Sequence, residues 1–235
     1  MRLKGAKIIK KRTKFLRKFI HIQKFDLLNK FKYGFQAPRF AERIWVNPCQ
    51  CKSFTSPAIV LDLCKVSTQR KASGLVVNGN WPFNKTKPVT EMKKLKYCYE
   101  HWVEGVPWEK TGIYDYMEKR IKDHAKKGKA PPDGCKNIKE VIQRYENLDH
   151  VFNQAKQEGK LKTMKELNPT NFREYMGPCI HIGPDGHPYF AMRGSHRFAI
   201  AYILNLPLPA QIGCVHISAI PYLGSYRKSP NTSYN

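Results

Sequence analysis

The sequence predicts an α+β domain in which a small mixed sheet lies beside packed helices. Short apolar runs bounded by Gly, Pro and Asn are typical of strands, and they occur near 44–46, 180–182, 188–192 and 211–216. Longer segments with apolar residues three and four positions apart are typical of helices, and they occur at 90–104, 108–123, 137–158 and 196–205. With 41% hydrophobic residues in a chain of 235, there are enough apolar side chains to build a core.

The length suits one large domain with an appendage. We expect a basic amphipathic segment at 1–35 and a single α+β domain at 36–223, with a helical insertion at about 90–160. Residues 224–235 are polar and are expected to form a mobile tail.

Residues 1–32 are strongly basic, with twelve lysines and arginines and one acid, Asp26. Apolar residues recur there at spacings that allow an amphipathic helix, namely Ile8, Phe15, Leu16, Phe19, Ile20, Leu27, Leu28 and Phe31. Such a helix is typical of elements that bind an anionic membrane surface or nucleic acid. The alternative is a helix whose apolar stripe packs on the body of the same chain, and both interpretations stay open at this point.

The whole chain carries 42 lysines and arginines against 18 acids, a formal charge of +24. Such a charge favours nucleic acid, acidic membrane surfaces or phosphorylated ligands as partners. No run approaches the roughly 20 apolar residues of a membrane-spanning helix, and the start is too charged for a secretory signal. We therefore expect a cytoplasmic protein, either free or peripheral at the inner membrane face. Its seven cysteines, an odd number, are expected to be reduced thiols.

In the first half of the domain, Ile44 to Val46 is expected as a strand closed by an Asn-Pro turn. Ile59 to Cys64 is expected as another strand. Trp81 follows in a turn rich in Gly and Asn, where it either forms the floor of a ligand site or fills the core. Thr90 is the expected N-cap of the first central helix.

The second central helix is expected to begin after Pro107. Glu109 and Thr111 lie near its start, where a carboxylate and a hydroxyl either serve a metal–phosphate site or satisfy the helix end. In the third central helix, Asn137 is the expected cap. Arg144 and Asp149 lie off its core stripe and five positions apart, so a mutual ion pair is not the obvious reason for them.

The closing stretch, Ile180 to Gln211, has the order strand, turn, strand, loop and buried helix. Asp185 lies in the turn. Gly194 to Arg197 begins the helix, where backbone N–H groups have no partner inside the helix and therefore favour an anion.

The four residues of this loop suit phosphate. Gly194 permits close backbone approach, and Ser195 caps the helix or donates its hydroxyl. Arg197 offers a planar fork of donors, and His196 bonds phosphate or moves a proton near neutral pH. The alternative is purely structural, with Ser195 capping the helix and Arg197 pairing with a carboxylate.

The segment GSHRFAIAYILNLPLPAQIG, preceded by a short hairpin, resembles the ParB/sulfiredoxin superfamily over about 40 residues. The resemblance implies a ParB/sulfiredoxin-like mixed sheet whose loop holds nucleotide phosphates. Sulfiredoxins carry a catalytic cysteine where this chain has Ser195, so peroxiredoxin repair is not expected. Only about 20 residues follow Val215, too few for the helix-turn-helix domain of partition proteins.

The middle of the chain, with RIWVNP, VNGNWP and HWVEGVPWEKTGIYD, resembles an uncharacterised bacterial and archaeal group. This resemblance implies that an Arg and an Asp of the third central helix, here Arg144 and Asp149, face the loop at Ser195. Members of the group usually show G-D-W-D where this chain has Gly79-Asn80-Trp81-Pro82. The differences at Asn80 and Pro82 keep a non-catalytic protein among the alternatives.

The first functional hypothesis is a nucleotide-binding protein acting as an ATP- or CTP-dependent phosphotransferase or hydrolase with magnesium. Gly194, Ser195, His196 and Arg197 would bind the nucleotide, with His196 and Arg197 as the catalytic pair. Candidate acids for the metal are Asp185, Glu109 and Asp149. The first alternative is a nucleic-acid-binding protein or nuclease. The second is a non-catalytic peripheral protein held at an anionic membrane by residues 1–32.

Overall fold

The computed structural model describes the backbone of residues 2–230 and the side chains of Arg17 and residues 19–230. This part contains eight α-helices: α1 Arg2–Tyr33, α2 Pro57–Cys64, α3 Lys93–Trp102, α4 Ile113–Lys126, α5 Ile138–Glu158, α6 Met164–Leu167, α7 Ser195–Ile203 and α8 Leu223–Arg227. It also contains seven strands: β1 Arg43–Val46, β2 Ser53–Phe54, β3 Val76–Val77, β4 Lys87–Pro88, β5 Cys179–Ile182, β6 Pro188–Phe190 and β7 Leu208–His216. The predicted mixture of helices with a small mixed sheet is therefore confirmed.

The sheet has the order β1-β7-β5-β6-β2-β4, and β3 also pairs with β7. The β5–β7 and β2–β6 pairs are parallel, whereas β5 and β6 form an antiparallel hairpin in which Ile180 lies opposite Phe190. Strand β7 is buried along almost its whole length, and its Ile212 and Val215 belong to the main hydrophobic core. Cys214 belongs to a smaller core with Val60.

Most of the predicted elements are present with small shifts at their ends. Asn137 caps α5 by accepting a hydrogen bond from the N–H of Glu140 (3.0 Å), and Gly159 ends that helix in a left-handed conformation. The strand predicted at Ile59–Cys64 is wrong, since this segment is the helix α2. Pro57 at its first turn presets the helical φ, and an apolar run of this length does not by itself distinguish a strand from a buried helix.

The prediction that Thr90 caps the first central helix is also wrong. Residues Val89–Glu91 form a separate 3₁₀ turn, and α3 begins only at Lys93. The start of the second central helix is similarly divided, because Trp108–Lys110 is a 3₁₀ turn and Gly112 stands before Ile113 in a left-handed conformation.

Helix α1 is fixed to the domain by one face. Ile22 is buried, and the side chain of Asn29 donates to the backbone oxygens of Pro38 and Gly74, each at 2.8 Å. Asp26 forms an ion pair of 2.7 Å with Arg173. Among the described residues, no helix has both the length and the apolar character needed to cross a bilayer.

The structure corrects the predicted mobile tail at its beginning, because Leu223–Arg227 is the short helix α8. Arg227 donates through Nε to the carboxylate of Glu42 at 2.7 Å, and Arg39 contacts the same carboxylate at 3.2 Å. The Glu42 side chain is almost fully buried, so this end of the chain is held by a charged partner in the core. Residues 231–235 of the predicted tail lie outside the described part of the chain.

Candidate functional site

The loop between β6 and α7 has an unusual backbone that places the α7 N-terminus. Met192 has a φ of 55° and Gly194 has a φ of 79°, and Gly194 is the N-cap residue. A Cβ added at Gly194 would lie 2.7 Å from the Cα of Pro178. Glycine is therefore required here by its φ and by the neighbouring backbone, independently of any ligand.

Ser195 is the first residue of α7 and does not cap it, so the predicted capping role of Ser195 is wrong. Its hydroxyl donates instead to the backbone oxygen of Met192 at 3.3 Å. The α7 N-terminus thus has no side-chain cap, and its first residues line the space beside the loop.

That space is a cavity of about 720 Å³ between α3, α5, α7 and the segment after α5. All four loop residues from Gly194 to Arg197 line it. Eight basic side chains also line it, namely Lys93, Lys94, Arg120, Arg144, Lys160, Lys162, Arg193 and Arg197. Its three acids are Glu91, Asp133 and Glu158, so the lining carries a clear excess of positive charge.

Three arginines of the cavity carry buried N–H groups that have no hydrogen-bond acceptor among the described residues. These groups are Nε of Arg144, Nε and Nη1 of Arg193, and Nε of Arg197. Arg193 is held in place by Gln211, whose side-chain oxygen accepts from Nη2 at 2.6 Å. Arg197 donates from Nη2 to the backbone oxygen of Lys162, so the expected pairing with a carboxylate is replaced by a backbone contact.

Lys94 and Asp133 form an ion pair at the wall of the cavity. Burial lowers the pKa of the Lys94 ammonium, and the neighbouring Asp133 opposes that shift. Burial alone would raise the pKa of Asp133, but Lys94, His196 and Arg144 together outweigh it and the pKa is lowered. The two side chains are therefore engaged with each other.

His196 is buried in the wall, and its Nε2 lies 3.0 Å from the Tyr145 hydroxyl. Burial lowers the pKa of His196 to about 3, and the nearby positive charges of Lys94 and Arg144 act in the same direction. The imidazole is therefore neutral at physiological pH. It presents a neutral ring to the cavity, and the positive charge comes from the arginines and lysines.

Arg144 is the only one of the six additional candidate residues that lines the cavity with the loop. Asp149, its expected companion from α5, is directed elsewhere. It accepts hydrogen bonds from the indole N–H groups of Trp102 (2.8 Å) and Trp108 (3.1 Å) and lies 3.2 Å from His101.

The other four candidates do not line the cavity either. Trp81 is buried in the smaller core, with its ring 5.4 Å from that of Tyr189. Thr111 satisfies the helix end by donating to the Trp108 oxygen at 2.8 Å, and Glu109 is exposed beside it. Asp185 accepts from the N–H of His187 and the hydroxyl of Tyr189, each at 3.1 Å, in the hairpin turn.

No group of three or more His, Cys, Asp and Glu side chains within the described residues is arranged to hold a metal ion. Glu109, Asp149 and Asp185, the acids considered for a metal, are not among the cavity residues. Of the acids that do line the cavity, Asp133 is engaged with Lys94. The side chains present therefore do not form a metal centre by themselves.

Lys94, Asp133, Tyr145 and Arg193 were not among the predicted site residues. Arg193 directly precedes the loop motif, and this adjacency was a usable signal. Lys94 and Asp133 come from segments distant in sequence, and only their packing against α7 brings them to the cavity. Comparison of the chain with protein-family models, curated proteins and solved structures finds no match. The ParB/sulfiredoxin-like assignment accordingly remains a prediction.

Proposed function

We propose that this protein binds a phosphate-bearing ligand of nucleotide size in the cavity at the α7 N-terminus. The observation that carries the proposal is the charge of one cavity lining, which holds eight lysine and arginine side chains, Arg144, Arg193 and Arg197 among them, against three acids. Such an excess of positive charge attracts an anion. A phosphate-bearing ligand would neutralise it.

Arginine is well suited to this role, because its planar guanidinium binds phosphate through two parallel hydrogen bonds. The uncapped α7 N-terminus adds backbone N–H donors and the positive end of the helix dipole. A volume of about 720 Å³ lies within the range of small-molecule and cofactor sites. Charge, donors and size thus favour the same class of ligand.

The enzymatic form of the proposal is an ATP- or CTP-dependent phosphotransferase or hydrolase. Arg197 would neutralise charge at the transferred phosphate, and the neutral His196 would form a hydrogen bond beside it. Magnesium would supply Lewis-acid activation of the phosphates when bound with the nucleotide. Because the described residues form no metal centre, our proposal assigns no step to it.

Thermal-shift measurements with ATP, CTP and GTP, each with and without magnesium, test the proposal on the wild type and on Arg144→Gln. A ligand at 100 times its Kd stabilises a protein by about 2.7 kcal/mol, which raises the melting temperature of a chain of this size by about 5–10 °C. We expect such a shift with a nucleotide and its loss in Arg144→Gln.

Arg70→Gln is the matched control, because Arg70 is exposed and is not among the cavity residues. It removes the same charge and should keep the shift. Equal shifts in both variants would contradict binding at this cavity. No shift of the wild type with any nucleotide would reject the nucleotide and leave the nucleic-acid alternative to be measured.

Nucleic acid is the second candidate, and one observation favours it. A second cavity of about 470 Å³ shares Lys160 and Leu161 with the first and is lined by Arg43, Trp45 and Lys165. An extended strand could place phosphates in the first cavity and a base against Trp45 in the second. Binding of a short single-stranded oligonucleotide should then weaken roughly fiftyfold between 50 and 200 mM salt, as expected for about four phosphate contacts. A nearly flat salt dependence would reject this candidate.

A further inference from the structure

Helix α1 carries an exposed apolar stripe on the side opposite to its contacts with the domain. Ile22, Asp26 and Asn29 hold the inner side, at spacings of four and three residues. Ile20 and Leu27 are each 57% exposed and Phe31 is 86% exposed. At 3.6 residues per turn, these three point about 150° away from the inner side.

In the described part of the basic segment, Ile20, Leu27 and Phe31 lie away from the domain, whereas Phe19 contacts Phe172 edge to face. The inner side is fixed to the domain through hydrogen bonds and an ion pair. The outer stripe is therefore not the surface with which the helix packs on its own chain. Phe35, just after α1, is also 87% exposed, with the Lys30 ammonium 4.3 Å from its ring centre. The apolar surface thus continues past the helix end.

Exposed cations accompany the stripe. Lys24 lies between its members, and Arg17, Lys30 and Lys32 are exposed near it. A surface with an apolar centre and basic neighbours suits the boundary between lipid headgroups and acyl chains. There the apolar side chains contact the acyl chains and the cations contact the anionic headgroups. We propose that the outer face of α1 docks the protein flat on an anionic lipid surface, with Ile20, Leu27 and Phe31 entering the acyl boundary.

Charge and side-chain chemistry favour lipid over the other occupants. A second copy of this chain would bring two helices together that each carry twelve lysines and arginines against one acid in residues 1–32, and such like charges repel. Nucleic acid would pair with the cations through its phosphates but would leave the apolar stripe against phosphates and water. An anionic bilayer accommodates both, and each basic side chain near its surface contributes roughly fivefold to the binding constant.

Vesicle sedimentation of the full chain tests the proposal, using phosphatidylcholine vesicles with and without 30% phosphatidylserine at 0.15 M salt. The test variant combines Ile20→Gln, Leu27→Gln and Phe31→Gln, which leaves the charge unchanged. The control combines Phe83→Gln, Val103→Gln and Ile217→Gln, three exposed apolar residues elsewhere on the surface. We expect the wild type to bind the anionic vesicles, the test variant to bind at least tenfold more weakly, and the control to stay within twofold.

Equal binding by the test variant and the wild type would overturn the proposal, and so would wild-type binding that does not depend on phosphatidylserine. Binding of a double-stranded oligonucleotide, measured in parallel, tests nucleic acid as the partner of this face. A tenfold loss of oligonucleotide binding in the test variant would also overturn the lipid proposal. Analytical ultracentrifugation compares the oligomeric states of the two proteins. A dimeric wild type with a monomeric test variant would assign the stripe to self-association instead. Melting curves of all three proteins, expected within a few degrees of each other, verify that the variants fold.

Discussion

The hydroxyl of Tyr145 lies 3.0 Å from Nε2 of His196, and this contact joins the middle of α5 to the first turn of α7. Both side chains are buried, and their rings meet edge to face with centroids 5.2 Å apart. The helix that supplies Arg144 is thereby fixed relative to the loop that supplies Arg193 and Arg197. The contact between Tyr145 and His196 therefore helps to position these arginines in the cavity.

Tyr145→Phe should destabilise the protein by about 1–2 kcal/mol, because it leaves the buried Nε2 of His196 without its partner. Urea unfolding measures the loss. Tyr114→Phe is the control, since Tyr114 packs edge to face against the Tyr145 ring but is not part of the pair with His196. Similar losses in the two variants would mean that the hydroxyl contact contributes little.

Gly194→Ala should cost about 1–3 kcal/mol more than Gly105→Ala in urea unfolding. Both glycines have a φ near 75–80°, so both alanines meet the same backbone penalty. At Gly105 a Cβ would have open space, whereas at Gly194 it would lie 2.7 Å from Pro178. Equal costs would show that the loop moves away from Pro178 freely.

Stability should decrease as the pH falls from 6.5 towards 3, owing to His181 and His196. Burial is the main cause that lowers the pKa of each to about 3 in the folded state, against 6.5 for the unfolded chain. Below pH 6.5 the unfolded chain therefore binds protons that the folded chain does not, and unfolding is favoured. Each histidine contributes about 1.4 kcal/mol per pH unit in this window.

Urea unfolding at pH 7.0, 6.0 and 5.0 measures this slope. His196→Gln should remove about half of it, whereas His150→Gln, at an exposed site, should leave it unchanged. A wild-type slope no steeper than that of His196→Gln would contradict a neutral, buried His196.

Asp149→Ala should lower the melting temperature by several degrees without abolishing any nucleotide-induced shift. The carboxylate accepts from the indole N–H groups of half-buried Trp102 and buried Trp108, so its removal leaves two donors without an acceptor, a loss of about 2 kcal/mol. Thermal scans with and without ligand separate the two effects. Loss of the ligand shift together with a normal melting temperature would place Asp149 in the binding site after all.

The sequence predicted those parts of the fold that depend on local periodicity. The alternation and turn residues around the β5–β6 hairpin, and the spacing from Ile138 to Phe152 in α5, reflect which faces are buried. Ile59–Cys64 was misassigned because the whole of α2, Pro57–Cys64, has only eight residues, too few turns to distinguish helix from strand by periodicity.

The site was predicted where its chemistry is contiguous in sequence, at Gly194 to Arg197. Lys94, Asp133 and Tyr145 lie between 49 and 100 residues before that loop, and their approach depends on how α3 and α5 pack on α7. Asp149 was predicted as a site residue but does not line the cavity. An acid with no evident partner on its own helix suggested a functional role, but its partners are Trp102 and Trp108, which lie outside that helix.

The contact of Arg227 with Glu42 joins residues 185 positions apart. Shortening the chain before Arg227 would remove one of the two arginines that pair with this buried carboxylate and leave Arg39 as its charged partner. The residues of α8 should therefore be kept when the chain is shortened or fused to another protein. Their deletion would remove a side chain that pairs with a buried group, and not only a polar surface segment.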